Sequence, residues 1–187
     1  YEKEYYYALR ATDPKSLSPV QAAARTICLN RTGFNGLYRV NRSGNFNVPF
    51  GRYTNPTICD APNLRLCSTV LQGADIQARD FRELAQWATP GDFVYFDPPY
   101  VPRSATAAFT DYTPGGFSWD DHLQLADLFG QLHNRGVRVM LSNADVPLVR
   151  DLYSDFDIET VYAARAINSR PDRRGNISEV VVRNYKS

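Results

Sequence analysis

The chain has 187 residues, 43% of them hydrophobic and 22% charged, and its formal net charge is +1. That length suits one domain with a real core, or one domain carrying a small insertion, and the composition excludes a disordered or fibrous chain. No apolar run approaches the roughly 18–20 residues of a membrane span, so no membrane partner is expected.

In chain order, the opening YEKEYYY reads as already inside a helix. SPVQAAARTICLN (18–30) begins a second helix, with Ser18 as N-cap, Pro19 at the first helical position and Gln21 completing a capping box. The texture then changes. Residues 31–56, RTGFNGLYRVNRSGNFNVPFGRYTNP, are rich in Gly, Asn, Arg and aromatics. Within them LYRVN and NFNV flank Arg42-Ser43-Gly44 and read as a β-hairpin with a glycine turn. Its aliphatic content is too low for a core, so this segment is an excursion from the main domain.

STVLQGADIQ (68–77) is a candidate strand, and RDFRELAQWA (79–88) a helix with Asp80 and Glu83 as its capping box. DFVYF (92–96) reads as a buried strand. SWDDHLQLADLFGQLHNRG (118–136) is the clearest helix, with Trp119, Leu123, Ala126, Leu128, Phe129 and Leu132 on one stripe and Gly136 just past its end. His122 and His133 fall on its polar side. VRVMLS (137–142), DIETVYAA (157–164) and SEVVVRNY (178–185) are strands, and VPLVRDLY (146–153) is a short helix after the first of them. Alternating short apolar strands and helices imply an α/β fold with a mostly parallel sheet covered on both faces.

Charge is segregated along the chain. Residues 31–56 carry four arginines and no acid, and residues 163–187 carry five arginines and one lysine against two acids. Two basic segments on an otherwise acidic chain suggest a localised polyanion-binding face; solvated or paired arginines are the alternative. Cys28, Cys59 and Cys67 lack paired metal-ligand spacing, so they read as buried free thiols in a reducing cytoplasm, with no metal site.

The chemistry concentrates at GDFVYFDPPY (91–100). Ligands of open α/β sheets sit beyond the carboxyl ends of the strands, and Asp97-Pro98-Pro99-Tyr100 lies at such an end. Proline fixes φ and presents a carbonyl without a competing N–H. An anionic Asp97 and a proline-held carbonyl can together accept both protons of one NH₂ group, while Tyr100 stacks on the flat ring that carries it. Such acceptors favour the positive charge that develops when this nitrogen attacks an electrophile. A strand-terminating turn is the plainer reading of consecutive prolines.

DPPY after this strand, with FNGLYRVNRSGNFNVPFGRY before it and INSRPDRRGNISEVVVRNY after it, resembles the Dam-type, alpha-group (D12 class) DNA adenine-N6 methyltransferases over essentially the whole chain. The resemblance implies a Rossmann-like methyltransferase sheet, incomplete in this chain, with an inserted helical and β-hairpin DNA-recognition subdomain. Residues 1–67 would be the recognition subdomain and residues 68–187 the catalytic α/β portion. It implies S-adenosylmethionine as cofactor, double-stranded DNA as partner, and a target adenine flipped out of the duplex, in a GATC site by analogy. Asp97, Pro98, Pro99 and Tyr100 fall on the catalytic motif. Asp80 and Phe81, with Asp97, match positions that hold the methyl donor, and Phe109 and Tyr112 match a loop over the flipped base. Arg39, Asn41, Arg42, Asn45 and Arg52 match the DNA-reading element, with Arg suited to guanine and Asn to adenine. Arg170, Arg173 and Arg174 are expected near the DNA backbone.

One departure from the family stands out. No Gly-x-Gly occurs anywhere, and the first thirty residues contain no glycine. The expectation is therefore that an N-terminal segment or a separate chain carries the family's Phe-x-Gly-x-Gly loop and completes the sheet. Two competing readings stay open. One is a methyltransferase acting on another amino group (cytosine N4, an RNA base or protein glutamine), and the other a non-catalytic DNA-binding remnant.

Overall fold

The computed structural model describes residues 1–41, 43–103, 116–164 and 176–186. Its backbone contacts group into two units, residues 1–76 and 77–187.

The first unit is built on two helices, α1 (Lys3–Ala11) and α2 (Pro19–Thr32). The capping box expected at Ser18 and Gln21 is present, with Pro19 just inside. Arg25 of α2 is buried and donates to the Leu9 carbonyl at 3.0 Å and the Arg10 carbonyl at 2.8 Å. A cation therefore bonds two carbonyls in the last turn of α1, where the helix dipole is negative, the Leu9 carbonyl also accepting from the Thr12 amide. The FNG and NVPFG motifs turn out to be architectural. Asn35 and Gly36 adopt positive φ, Val48 is buried with Tyr6, Leu29 and Phe46, and the Tyr6 hydroxyl donates to the Val48 carbonyl at 2.9 Å. Phe34 and Gly51 bond to Pro49 and Thr32 across the resulting seam, both at 2.8 Å.

Residues 61–71 form a helix, α3 (Ala61–Leu71), capped by Asp60 with Pro62 in the first turn. The strand expected over 68–77 is not there: its first four residues are helical, and residues 72–77 carry no strand. Asp60 and Pro62 start a helix that runs through Val70, and they outweigh the weak β-propensity of STV. Cys59 and Cys67 are exposed rather than buried, and Cys28 is half-buried; all three are free thiols.

The second unit is mixed α/β. Strand β1 (Phe93–Phe96) pairs in parallel with β2 (Arg138–Ala144) across helix α4 (Trp119–Asn134). After the short helix α5 (Pro147–Leu152), β3 (Asp157–Ala164) runs to the far edge, and β4 (Asn176–Arg183) returns between β3 and β2. The order is β1-β2-β4-β3 with both β4 pairings antiparallel, so the expected mostly parallel sheet is corrected: one pairing of three is parallel. β4 follows β3 in the chain, and a strand that doubles back on its predecessor pairs antiparallel with it.

Among the described residues the helices pack on one face, where Phe96, Val139, Leu141, Val180 and Val182 meet Leu125, Phe129, Leu132 and Val149. Phe93 and Tyr95 on the other face of β1 are 55% and 50% exposed, and among the described strands β1 stands at one edge of the sheet. On α4 the buried stripe is His122, Leu125, Leu128, Phe129 and Leu132, while Leu123 is exposed. Leu128, Phe129 and Leu132 are common to both stripes and Trp119 and Ala126 pack partly buried beside them, so the departure is Leu123 outside and His122 inside, against the rings of Phe117 and Trp119. Residues 81–86 form a 3₁₀ helix in place of the expected α-helix.

Candidate active site

Strand β1 delivers Asp97 to the carboxyl end of the sheet, as the motif's position implies. The parallel register sets Tyr95 opposite Met140 and Phe96 opposite Leu141. Side chains alternate along a strand, so Val94 and Phe96 enter the core with Val139 and Leu141, while Tyr95 and Asp97 share the other face with Met140 and Ser142. The Ser142 hydroxyl donates to Asp97 Oδ1 at 2.9 Å, and the Tyr95 hydroxyl donates to Ser142 Oγ at 2.9 Å. Asp97 itself is exposed, Pro98 half-buried and Pro99 exposed.

The segment is anchored again four residues on. Asn143 is 1% exposed, and its Oδ1 accepts from the Val101 amide at 2.9 Å and the Ala144 amide at 2.8 Å. Consecutive residues at the end of β2 thus hold the acid on one face and the loop backbone on the other. Between them Tyr100 is 36% exposed. Burial raises its phenol above the usual value, with the Ser142 hydroxyl acting in the opposite direction. The arrangement offers a fixed carboxylate and a proline-held carbonyl beside a partly open aromatic ring. A planar base bearing an amino group meets those three features.

Asp80 and Phe81 sit in a different network. The Asp80 carboxylate caps the 3₁₀ helix by accepting from the Arg82 amide at 2.9 Å, and the Arg82 guanidinium grips both of its oxygens, at 3.0 and 2.9 Å. These contacts, the backbone one first, lower the Asp80 carboxyl below its ordinary value. Arg82 also bonds Asp121 and Gln124 of α4 and lies 4.5 Å from the centre of the Phe81 ring, which packs on Phe117. A carboxylate beside an aromatic ring is what an adenine with an exocyclic amine requires, and here Arg82 holds both groups. The expected Asp80–Glu83 capping box is replaced by this Arg82 contact, and Glu83 pairs with Arg79 instead.

The hairpin in the first unit is short: a single bridge joins Val40 to Phe46, with Gly44 at positive φ in the turn. Asn41 Oδ1 accepts from the Ser43 and Asn45 amides, both at 3.0 Å, so this side chain builds the turn. Arg39 lies along the hairpin, its Nε on Asn47 Oδ1 at 2.6 Å and its Nη2 on the Asn47 carbonyl at 3.2 Å. Asn45 and Arg52 are exposed. Arg42, Phe109, Tyr112, Arg170, Arg173 and Arg174 lie outside the described residues. Among the described residues no group of acids, histidines or cysteines could hold a metal ion, and no helix is long and apolar enough to cross a membrane.

Tyr95, Ser142, Asn143 and Arg82 were not singled out by the sequence. A signal for the middle two exists. VRVMLSN ends an apolar strand in two small polar residues, and a strand reached by a crossover from DFVYF runs parallel to it, bringing that end beside Asp97.

Residues 1–167 match the family model described as D12 class N6 adenine-specific DNA methyltransferase. The chain is 47% identical over 189 residues to the Type II methyltransferase M1.LlaDCHI of Lactococcus lactis subsp. cremoris, covering 98% of this chain and 66% of that protein. It is 43% identical to the Type II methyltransferase M.MjaIII of Methanocaldococcus jannaschii, over 98% of this chain and 65% of the relative. It is 35% identical to the DNA adenine methylase of Escherichia coli K12, over 95% of this chain and 64% of the relative. The chain therefore spans just under two thirds of the length of these relatives.

Proposed function

The chain belongs to the D12 class N6 adenine-specific DNA methyltransferases, and we propose that it carries the catalytic acid and a DNA-reading element of an enzyme that methylates adenine N6 in double-stranded DNA, with S-adenosylmethionine as donor. The observation that carries this reading is the Asp97–Pro98–Pro99–Tyr100 segment, held at the carboxyl end of β1 by Ser142 and Asn143 of the adjacent parallel strand.

The chemistry follows from those residues. Asp97 and the Pro98 carbonyl accept the two protons of the adenine amine, which draws its lone pair out of conjugation with the ring. Tyr100 stacks on the base and keeps water from its face. When bound, the donor supplies an electrophilic methyl group. Transfer would form an N–C bond at N6 as the donor's S–C bond breaks, and Asp97 would hold its carboxylate beside the positive charge that appears on N6. One amine proton then leaves through that acceptor to solvent. Asp80 and Phe81 are the residues we assign to the donor's adenine, with Arg82 exchanging its grip on them for the ligand.

We read the sheet as Rossmann-like, residues 1–67 as the recognition subdomain inserted in it, and residues 68–187 as the catalytic portion. Arg39, Arg42, Asn45 and Arg52 are the side chains we assign to phosphates and base edges, with GATC as the site, while Asn41 shapes the turn that presents them. Phe109 and Tyr112 are assigned to the flipped base, and Arg170, Arg173 and Arg174 to the DNA backbone. A DNA substrate puts the enzyme in the cytoplasm at the nucleoid.

The test is direct. The natural full-length protein is incubated with isotopically labelled S-adenosylmethionine and a plasmid, and the digested nucleosides are separated by mass spectrometry. Label in N6-methyl-2′-deoxyadenosine supports the reading. Label in N4-methylcytosine, or none in DNA, overturns it.

A further inference from the structure

We propose that Ser142 is a positioning residue for methyl transfer: its hydroxyl, directed by the Tyr95 hydroxyl, fixes the plane of the Asp97 carboxylate so that Oδ2 is the oxygen presented to the target amine. The inference rests on the methyl-transfer reading of Asp97 and extends it to residues that touch neither base nor donor.

The geometry assigns each hydrogen. A serine hydroxyl has one proton to give and two lone pairs to receive with. Tyr95 donates into one lone pair at 2.9 Å, which leaves the Ser142 proton directed at Asp97 Oδ1, also at 2.9 Å. Ser142 is 7% exposed while Asp97 is open to solvent, so the acid stands on a part-buried hydrogen bond.

The need for such an anchor comes from the acid itself. The terminal torsion of an aspartate is broad and roughly two-fold, so an unanchored carboxylate samples many planes. The second acceptor assigned to the amine, the Pro98 carbonyl, is set by backbone, and Asn143 pins that backbone at Val101. Two acceptors can take two protons of one nitrogen only if both are fixed. Ser142 supplies the half that proline cannot.

The experiment uses the natural full-length protein and its Ser142→Ala, Ser142→Cys and Ser142→Thr variants. Single-turnover methyl transfer is measured at saturating DNA and donor, alongside DNA affinity by fluorescence anisotropy and thermal melting. Misplacing a reacting group slightly costs about 10–100-fold in rate, and that loss is expected for Ser142→Ala with DNA affinity within about twofold. Ser142→Thr keeps the hydroxyl and should regain most of the rate. Ser142→Cys keeps the size with a weak donor and should be slowed about tenfold, which decides the matter if the alanine variant does not fold.

A rate within twofold of wild type for the alanine or cysteine variant overturns the proposal. So does a threonine variant as slow as alanine at unchanged melting temperature. If the wild-type protein methylates no DNA, the parent reading fails by itself. The positioning claim is then decided by crystal structures of wild type and the alanine or cysteine variant: an Asp97 carboxylate turned about χ2 supports it, and an unmoved one overturns it.

Discussion

Replacing Asn143 by alanine removes the acceptor that holds the end of the Asp97–Val101 segment. The Val101 amide is buried, and its residue is 2% exposed, so the orphaned N–H has no ready access to water. A buried donor left unpaired costs about 1–3 kcal/mol. The Ala144 amide, also buried, loses its contact with this side chain as well. A water entering the small polar void would bring the total towards the lower half of that range. Against an overall stability of about 5–15 kcal/mol the fold survives, so the effect is measurable. Urea unfolding at unchanged m-value should show the loss, and the Val101 amide should exchange its hydrogen markedly faster. Asn143→Leu conserves volume without an acceptor, so it should show the same exchange effect with no void to fill. A loss below about 0.5 kcal/mol with Val101 protected as in wild type would refute the reasoning, because it would mean that the loop needs no anchor at β2.

Further outcomes follow from the packing. At Gly51 an added Cβ would sit 2.8 Å from the Thr32 carbonyl and against the Tyr53 ring, so Gly51→Ala should destabilise the first unit by about 1–3 kcal/mol in a chemical melt; an unchanged melt would contradict the close approach. The Tyr153 hydroxyl is buried with no hydrogen-bond partner among the described residues, and burial pushes its phenol up; Tyr153→Phe should leave stability unchanged or raise it by up to about 1 kcal/mol, and a clear loss would reveal a hidden partner. The hydroxyl and amide of Ser118 hold Asp121 at about 2, below the ordinary 3.8, so the stability this adds is full above pH 4 and is lost as pH falls towards 2. Asp121→Asn should flatten that acid limb in urea melts. Burial lowers His122 below its ordinary 6.5, with Asp121 opposing, so stability is full above pH 6.5 and declines as pH drops below it; His122→Gln should remove that slope.

Much of this molecule was legible because local chemistry and tertiary need agreed. The Ser18–Pro19–Gln21 start, the Ser118 start and Gly136 stop of α4, and the ends of β3 each rest on signals within a few residues. The carboxyl-end position of Asp97 followed from an apolar strand broken by two prolines. What could not be read depended on partners far along the chain. The sheet's antiparallel half arises where β4 inserts between β2 and β3, and no residue of SEVVVRNY announces that. That α4 buries His122 and exposes Leu123 is set by the sheet beneath it, a choice that a single helix's periodicity leaves ambiguous by a residue or two. The second role of Asn41, whose Oδ1 builds the turn through the Ser43 and Asn45 amides, was equally silent, although an Asn before a tight turn often bonds its own backbone. Arg82 was invisible for a related reason: its acids, Asp80 and Asp121, lie two and thirty-nine residues away.

The measurement that bears most directly on the account is the behaviour of Asp97→Ala in the natural full-length protein. Asp97 is assigned to the reacting amine, whereas affinity for DNA comes mainly from phosphate contacts elsewhere. Label transfer to adenine N6 and DNA affinity are measured on the same preparation. The account predicts that methyl transfer disappears while DNA affinity stays within about tenfold of wild type. Turnover retained in the variant would contradict it.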